Sequence, residues 1–235
     1  MALYPYFSYR SHMEMTPFSR HIWESKYRYS KGRAVCDHDI NDTWKRVAGA
    51  AAAKEDEAED WQRVFYDVLS DYRFLPGGRI LAGAGTEKRA TLFNCFVMGP
   101  LPDSIGSIFD SLKETALTMQ QGGGIGCDFS TLRPAGRPAI ACGTVASGPV
   151  PFMHIWNTLC EVLLQTSTRR GAMMATLRCD HPDIEAFVDA KRQEEALNNF
   201  NLSVLVTDAF MRAVADGTEW QLRFPSADSA SPANT

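Results

Sequence analysis

Thr91-Leu-Phe-Asn-Cys-Phe-Val-Met-Gly99 runs into Pro100-Leu-Pro-Asp-Ser104, and Gln121-Gly-Gly-Gly-Ile-Gly126 follows a helical stretch later. The first segment reads as a β-strand: large apolar residues bounded by turn formers and interrupted by one polar pair, Asn94-Cys95. Between the second and third segments Ile105, Ile108, Phe109, Leu112 and Ala116 recur at the i, i+3, i+4, i+7 spacing of an amphipathic helix. Strand, helix and glycine-rich turn in succession predict an α/β architecture.

Outward from this centre the pattern repeats. Phe152, Ile155, Trp156, Leu159, Val162 and Leu163 form a second helical stripe, and Phe200-Asn-Leu-Ser-Val-Leu-Val206 alternates as a strand that sets Asn201 and Ser203 on one face. Asp180-His-Pro-Asp-Ile-Glu185 reads as a helix start with proline in the first turn, which makes His181 structural. Toward the N-terminus, Trp44, Val47, Ala48, Ala51 and Ala52 have helical spacing, with Asn41-Asp42-Thr43 as the cap, and Trp61, Val64, Phe65, Val68 and Leu69 repeat it. Leu75-Pro-Gly-Gly-Arg79 then breaks the periodicity. The expected organisation is a helical N-terminal region over residues 1–73, an α/β region over 74–225 and a polar tail over 226–235.

Composition narrows the function classes. A net charge of −4 gives no basic field for a nucleic acid polymer. No apolar run reaches the ~18 residues of a membrane helix, and the start lacks the basic and apolar regions of a secretion signal. The cysteines at 36, 95, 127, 142, 160 and 179 are scattered, with neither Cys-x-x-Cys nor zinc spacing. A cytoplasmic protein with reduced thiols is expected, in which a reactive cysteine is more plausible than a disulfide framework.

Several residues carry candidate chemistry. Cys95 stands where a strand would present a thiol to a substrate, although a lone strand cysteine is commonly just a small buried apolar residue. Asp103, ahead of the helix, has two readings: it caps the first turn, or it accepts hydrogen bonds from the ribose hydroxyls of a nucleotide. The glycines at 122–124 and 126 permit close backbone approach, but they match neither the dinucleotide fingerprint nor a P-loop. Arg169-Arg170-Gly171, among hydroxyl residues and methionines, suits an anion-contacting loop, with a solvated arginine pair as the plainer reading.

The order of these segments is more specific than any one of them. Leu75-Pro-Gly-Gly-Arg-Ile-Leu, Asn94-Cys-Phe-Val, Pro102-Asp-Ser, Gly122-Gly-Gly-Ile-Gly, Leu132-Arg-Pro, Arg169-Arg-Gly-Ala-Met-Met, Asp180-His-Pro-Asp-Ile and Phe200-Asn-Leu-Ser-Val together resemble the N-terminal portion of a ribonucleotide reductase catalytic chain. The resemblance is best to the adenosylcobalamin-dependent (class II) branch, whose pattern Ser19-Arg-His-Ile-Trp-Glu-Ser-Lys-Tyr-Arg-Tyr29 also matches.

That resemblance implies the first part of a ten-stranded α/β barrel in which ribonucleotides are reduced at the 2′ carbon. A thiyl radical on a finger-loop cysteine removes the 3′ hydrogen, and two further cysteines deliver electrons and form a disulfide. Cys95 matches the first of those reducing cysteines, and Asn94, Gly124 and Asn201 fall with the substrate. Asp103 and Ser104 match positions that contact the ribose of a deoxynucleoside triphosphate (dNTP) effector, and Arg133 matches one that contacts its phosphates. Arg169, Arg170 and Gly171 match the loop relaying effector identity to the substrate base. The implied partners are a ribonucleotide, a dNTP, a thioredoxin-type reductant and a second copy in a homodimer; the implied cofactor is adenosylcobalamin, with no metal ligand assigned.

The chain also departs from the family. It has no Asn-x-Cys-x-Glu finger loop, no Asn-Pro-Cys-Gly segment, no C-terminal cysteine pair and no N-terminal ATP-binding pattern. Cys127, Cys142, Cys160 and Cys179 sit in none of those contexts and read as structural. The expectation is the front portion of a catalytic subunit, inactive alone and prone to association through open strand edges, which needs the missing C-terminal part or a complementing chain. A non-catalytic fragment that binds effector or an intact reductase subunit, and a class I large-subunit fragment, are the alternatives.

Overall fold

A computed structural model of the chain describes residues 15–88, 90–139, 144–164, 172–192 and 197–225. These fall into two compact units, within residues 1–93 and 94–235. Among the described residues no helix is long and apolar enough to cross a membrane.

The first unit is helical. Helix α1 (Pro17–Lys26) starts at Thr16, whose hydroxyl accepts the Ser19 amide, with proline in the first turn. A short antiparallel hairpin, β1 (Ser30–Lys31) with β2 (Ala34–Val35), turns at Gly32. Helices α2 (Ile40–Ala52), α3 (Ala58–Leu69) and α4 (Gly78–Gly83) complete it. The cap of α2 is Asp39 rather than Asn41-Asp42-Thr43. Asp39 has extended backbone, and its carboxylate accepts the amides of Asn41 and Asp42 at 2.8 and 3.1 Å. Asp42 accepts the His38 amide at 2.9 Å in return, which holds its carboxyl below the usual range.

Trp44, Val47, Ala48 and Ala52 are buried as their spacing predicts, while Ala51 faces solvent. On α3 only Leu69 is buried; Trp61, Val64 and Val68 are exposed. Beneath the helices lies a buried polar hub. Asp37, 2% exposed, accepts the Thr43 hydroxyl at 2.8 Å and pairs with Arg46 Nη2 at 2.8 Å. Trp23 Nε1 donates to the same Thr43 hydroxyl at 3.0 Å, and Arg46 reaches on to the carbonyls of Leu81 and Ala84. One carboxylate therefore ties α1, α2 and α4 together. No buried side-chain polar atom of this hub lacks a partner, as low-dielectric burial demands.

The second unit is built on four parallel strands in the order β3-β4-β7-β8. Strand β3 (Cys95–Pro100) leads to α5 (Ile105–Gln120) and β4 (Gly124–Asp128). A small antiparallel pair, β5 (Pro138–Ala139) and β6 (Thr144–Val145), precedes α6 (Pro149–Leu164). Then follow β7 (Met173–Arg178), α7 (Ile184–Asp189), β8 (Phe200–Leu205) and α8 (Asp208–Asp216). This is the parallel α/β architecture expected from the alternation of strands and helices. Its core joins Ile125, Cys127, Met173, Ala175, Leu177 and Phe200 of the sheet to Ile108 and Met119 of α5 and to Met153, Trp156 and Cys160 of α6.

Several local expectations change. The buried line of α5 runs through Ile108, Thr115 and Met119, with Leu112 beside it, whereas Ile105 and Phe109 are exposed. Thr115 is tolerated in the core because Trp156 Nε1 donates to its hydroxyl at 3.1 Å. Gly124-Ile-Gly126 is strand rather than loop, and the strand around Cys95 begins at Cys95, not Thr91. Pro182 precedes α7 instead of sitting in its first turn, and the Asp183 carboxylate accepts the Ala135 amide at 2.9 Å instead of capping α7.

Asp37→Ala should destabilise the first unit by about 3 kcal/mol, because it leaves the Arg46 guanidinium buried without its counter-charge. Lys31→Ala, which breaks the exposed Lys31–Glu87 pair, should cost less than about 1 kcal/mol. Urea unfolding of both variants checks the contrast.

Candidate functional site

In a parallel sheet, residues in register point to the same side, and successive residues alternate. Cys95 is in register with Gly124, and Val97 with Gly126. Gly126 aligns with Met174, and Met174 with Asn201; Asp128 aligns with Thr176, and Thr176 with Ser203. The intervening rows, such as Ile125–Met173–Phe200, are the buried ones. Cys95, Gly124, Gly126, Met174, Asn201 and Ser203 thus share the sheet face opposite the helices. That face is open: Cys95 and Asn201 are exposed, and Val97 is 92% exposed.

The glycines shape this face. Gly122 has φ +85° and turns the chain out of α5. A Cβ at Gly123 would lie 2.8 Å from the Phe96 ring and 2.9 Å from the Thr118 methyl. At Gly124 it would lie 3.1 Å from the Ala172 carbonyl and 3.4 Å from that of Asn94. The Gly124 amide donates to the Asn94 carbonyl at 2.8 Å, so the backbone of Asn94 is anchored while its side chain stays exposed. Gly124 is itself buried, so its missing side chain lets the backbone of Ala172 and Asn94 close over it beside the exposed Cys95, while Gly126 is half-buried on the same face.

Farther along the strands the same face carries polar groups that sequence reasoning missed. Asp128 Oδ1 accepts the Ser130 amide at 3.0 Å, the Ser130 hydroxyl at 2.5 Å and the Thr176 hydroxyl at 3.1 Å. Arg178 holds Asp180 through two bonds of 2.8 Å, which raise its already high pKa. The alternation of Met174, Thr176 and Arg178 in β7 was the readable signal.

A second group lies at the start of α5. Ser104, not Asp103, is the cap: its hydroxyl accepts the Ser107 amide at 3.2 Å. Asp103 instead pairs with Arg133, Nε to Oδ2 at 2.6 Å, and Arg133 Nη2 reaches the Asp103 carbonyl at 3.3 Å. Three residues singled out from sequence for nucleotide contact are thereby brought together. Arg169, Arg170 and Gly171 lie outside the described residues.

The remaining candidates are structural. His181 is 1% exposed; its Nδ1 accepts the Asp183 amide at 3.0 Å, so Nε2 carries the proton donated to the Leu132 carbonyl at 2.9 Å. Cys127, Cys160 and Cys179 are buried; Cys142 lies outside the described residues. Burial pushes the Cys127 thiol up to about 11, and burial with the neighbouring Glu161 charge does the same for Cys160.

Residues 93–233 match the family described as "Ribonucleotide reductase, barrel domain", and residues 13–89 that described as "Ribonucleotide reductase, all-alpha domain". The vitamin B12-dependent ribonucleoside-diphosphate reductase of Mycobacterium tuberculosis is 43% identical over 175 residues, 72% of this chain and 25% of that protein. The enzyme of the same name from Thermoplasma acidophilum is 38% identical over 198 residues, 84% of this chain and 25% of its own length. The ribonucleoside-diphosphate reductase subunit alpha of Helicobacter pylori is 33% identical over 183 residues, 76% of this chain and 23% of that subunit. The chain spans about a quarter of the length of these curated relatives.

Gly123→Ala should destabilise the second unit by about 1–3 kcal/mol, since both Phe96 and Thr118 must shift. Gly126→Ala, whose Cβ meets only Met174 at 3.9 Å, should leave the thermal midpoint nearly unchanged. Alkali gives a second expectation. The neutral thiols of Cys127 and Cys160 favour the fold below pH 9.0, and that contribution is lost as pH rises toward about 11, because the unfolded chain releases its protons first. Urea unfolding at stepped pH should show stability falling through this window, with a shallower slope in Cys127→Ala.

Proposed function

From a chain that belongs to the ribonucleotide reductase family, we propose the substrate-facing portion of a catalytic chain that reduces ribonucleotides to deoxyribonucleotides, with Cys95 as one of the two reducing thiols. The observation that carries this reading is one sheet face that presents the exposed Cys95 thiol and, one same-face row along, the half-buried Gly126 and the exposed Asn201 amide. Two thiols give up two electrons and two protons and become a disulfide, while the 2′ hydroxyl leaves as water and the carbon gains hydrogen. Cys95 supplies one thiol. Its partner and the hydrogen-abstracting cysteine belong to motifs this sequence does not contain. Gly124 holds the backbone of Asn94 beside the thiol through its amide, and Asn201 and Asn94 offer amides able both to donate and to accept. A thioredoxin-type dithiol would re-reduce the disulfide by exchange.

Asp103, Ser104 and Arg133 are proposed as the contacts of a deoxynucleoside triphosphate effector, with Arg169, Arg170 and Gly171 as the relay to the substrate. Closing the barrel over the open face requires further strands, from the remainder of a longer chain or from a complementing one, and homodimerisation accompanies the effector site by resemblance. Adenosylcobalamin enters through the Mycobacterium tuberculosis and Thermoplasma acidophilum relatives, whose names state dependence on vitamin B12. Among the described residues no group of three or more metal-ligating side chains occurs, and none is assigned to the corrin. When bound, the cofactor supplies the radical chemistry, while the chain's own residues place the sugar and provide the reducing thiol. A class I large subunit is the alternative, since the Helicobacter pylori relative is named a subunit alpha with no mention of vitamin B12. Cobalamin dependence of turnover in the complete enzyme separates the two.

In the complete reductase, Cys95→Ser should abolish multiple-turnover reduction driven by a dithiol while leaving effector binding intact. Product formation against time and equilibrium dialysis with a labelled effector measure the two. Undiminished turnover in the variant would remove Cys95 from the chemistry.

A further inference from the structure

The Asp103–Arg133 contact couples the two groups that the effector-site reading assigns to ribose and phosphate, and the inference drawn from it rests on that reading. We propose that this ion pair is a latch that discriminates nucleoside triphosphates from other polyphosphate anions. The Nε–Oδ2 distance of 2.6 Å marks a charge-assisted bond, and the second bond to the Asp103 carbonyl orients the guanidinium toward Asp103. Both side chains remain about one-third exposed, at 35% and 30%, so a ligand can reach them.

The backbone on either side is held. The Leu101 amide donates to the Asp128 backbone carbonyl at 3.0 Å, and the Thr131 hydroxyl donates to the Leu101 carbonyl, joining the two segments directly. Beyond Thr131, the Leu132 carbonyl is bonded to buried His181, and the Ala135 amide to Asp183. Within two residues of Asp103 and of Arg133 the chain is thus anchored. The pair opens by side-chain rotation alone, without rebuilding a loop.

A polyphosphate that draws Arg133 away leaves the Asp103 carboxylate without a partner and beside a new negative charge. A nucleoside triphosphate draws Arg133 away as well, but its sugar hydroxyl donates to Asp103 and replaces the lost bond. The closed pair lowers the apparent affinity for either ligand by the fraction of time it is open, up to about fivefold for a pair this exposed. Only the nucleotide recovers that loss.

Isothermal titration of the full chain with dTTP and with inorganic tripolyphosphate tests this. In Asp103→Asn, tripolyphosphate should bind about threefold to fivefold more tightly and dTTP more weakly, so the two affinities move in opposite directions. In an Arg133→Gln background the tightening toward tripolyphosphate should vanish, because there is no pair to open. Asp103→Ser repeats the comparison with a side chain too short to hold Arg133, and thermal midpoints verify folding. Tightening that persists without Arg133 would reduce Asp103 to a repulsive charge and overturn the latch. Failure to tighten with Arg133 present would do the same while leaving the effector site standing. Absence of dTTP binding to the unmodified chain would remove the effector reading and the latch together.

Discussion

The parallel register between β3 and β4 is the constraint on which the second unit depends. Placing Cys95 opposite Gly124 sends Phe96, Ile125, Met173 and Phe200 to one side and Cys95, Gly126, Met174 and Asn201 to the other. A slip of one residue would bury the thiol and expose the core row. The register is secured where the two strands begin, by the Gly124 amide on the Asn94 carbonyl and by the contact of Gly123 with Phe96 and Thr118. Parallel sheets ordinarily have both faces covered. Here the helices cover one face, and the other carries exposed Val97 and Met174 between polar groups, the mixture expected of a surface that receives something else.

Buried polarity is handled in the same way in both units. In the first, Asp37 is satisfied by Thr43 and Arg46 and so links α1, α2 and α4. In the second, His181 bridges the Leu132 carbonyl and the Asp183 amide, and Trp156 anchors on Thr115. Among the described residues no buried side-chain polar atom lacks a partner. Such networks fix the geometry of the groups around them, because breaking any member leaves an uncompensated charge or dipole in a low dielectric. The backbone that carries Arg133 is held in place partly by this means.

Much of the fold was legible along the chain. The apolar period separated helices from strands, and the turn signals around Leu75 and Gly122 marked the breaks. Misreadings arose where nearby side chains were equally competent. Asp39 displaced Asn41-Asp42-Thr43 as a cap, and Ser104 displaced Asp103, because backbone conformation at a single residue decides which side chain reaches the first-turn amides. On α5 the apolar spacing correctly marks Ile108 and Leu112 but also points to Ile105 and Phe109, whereas the buried line passes through Thr115, whose hydroxyl takes a hydrogen bond from Trp156, forty-one residues away in sequence.

For the site, sequence alone determined the residue types and their order: a thiol beside an asparagine, glycines after a helix, a carboxylate and an arginine about thirty residues apart. Those are local properties, set by chain chemistry and period. Only the tertiary structure decided that Cys95, Gly124 and Asn201 lie on one side of the sheet, that Asp128, Thr176 and Ser203 extend it, and that Asp103 is bound to Arg133. The physical reason is that strand register and side-chain pairing are long-range choices. They are made by packing and hydrogen bonding between segments that share no local signal, so no single stretch of sequence contains them.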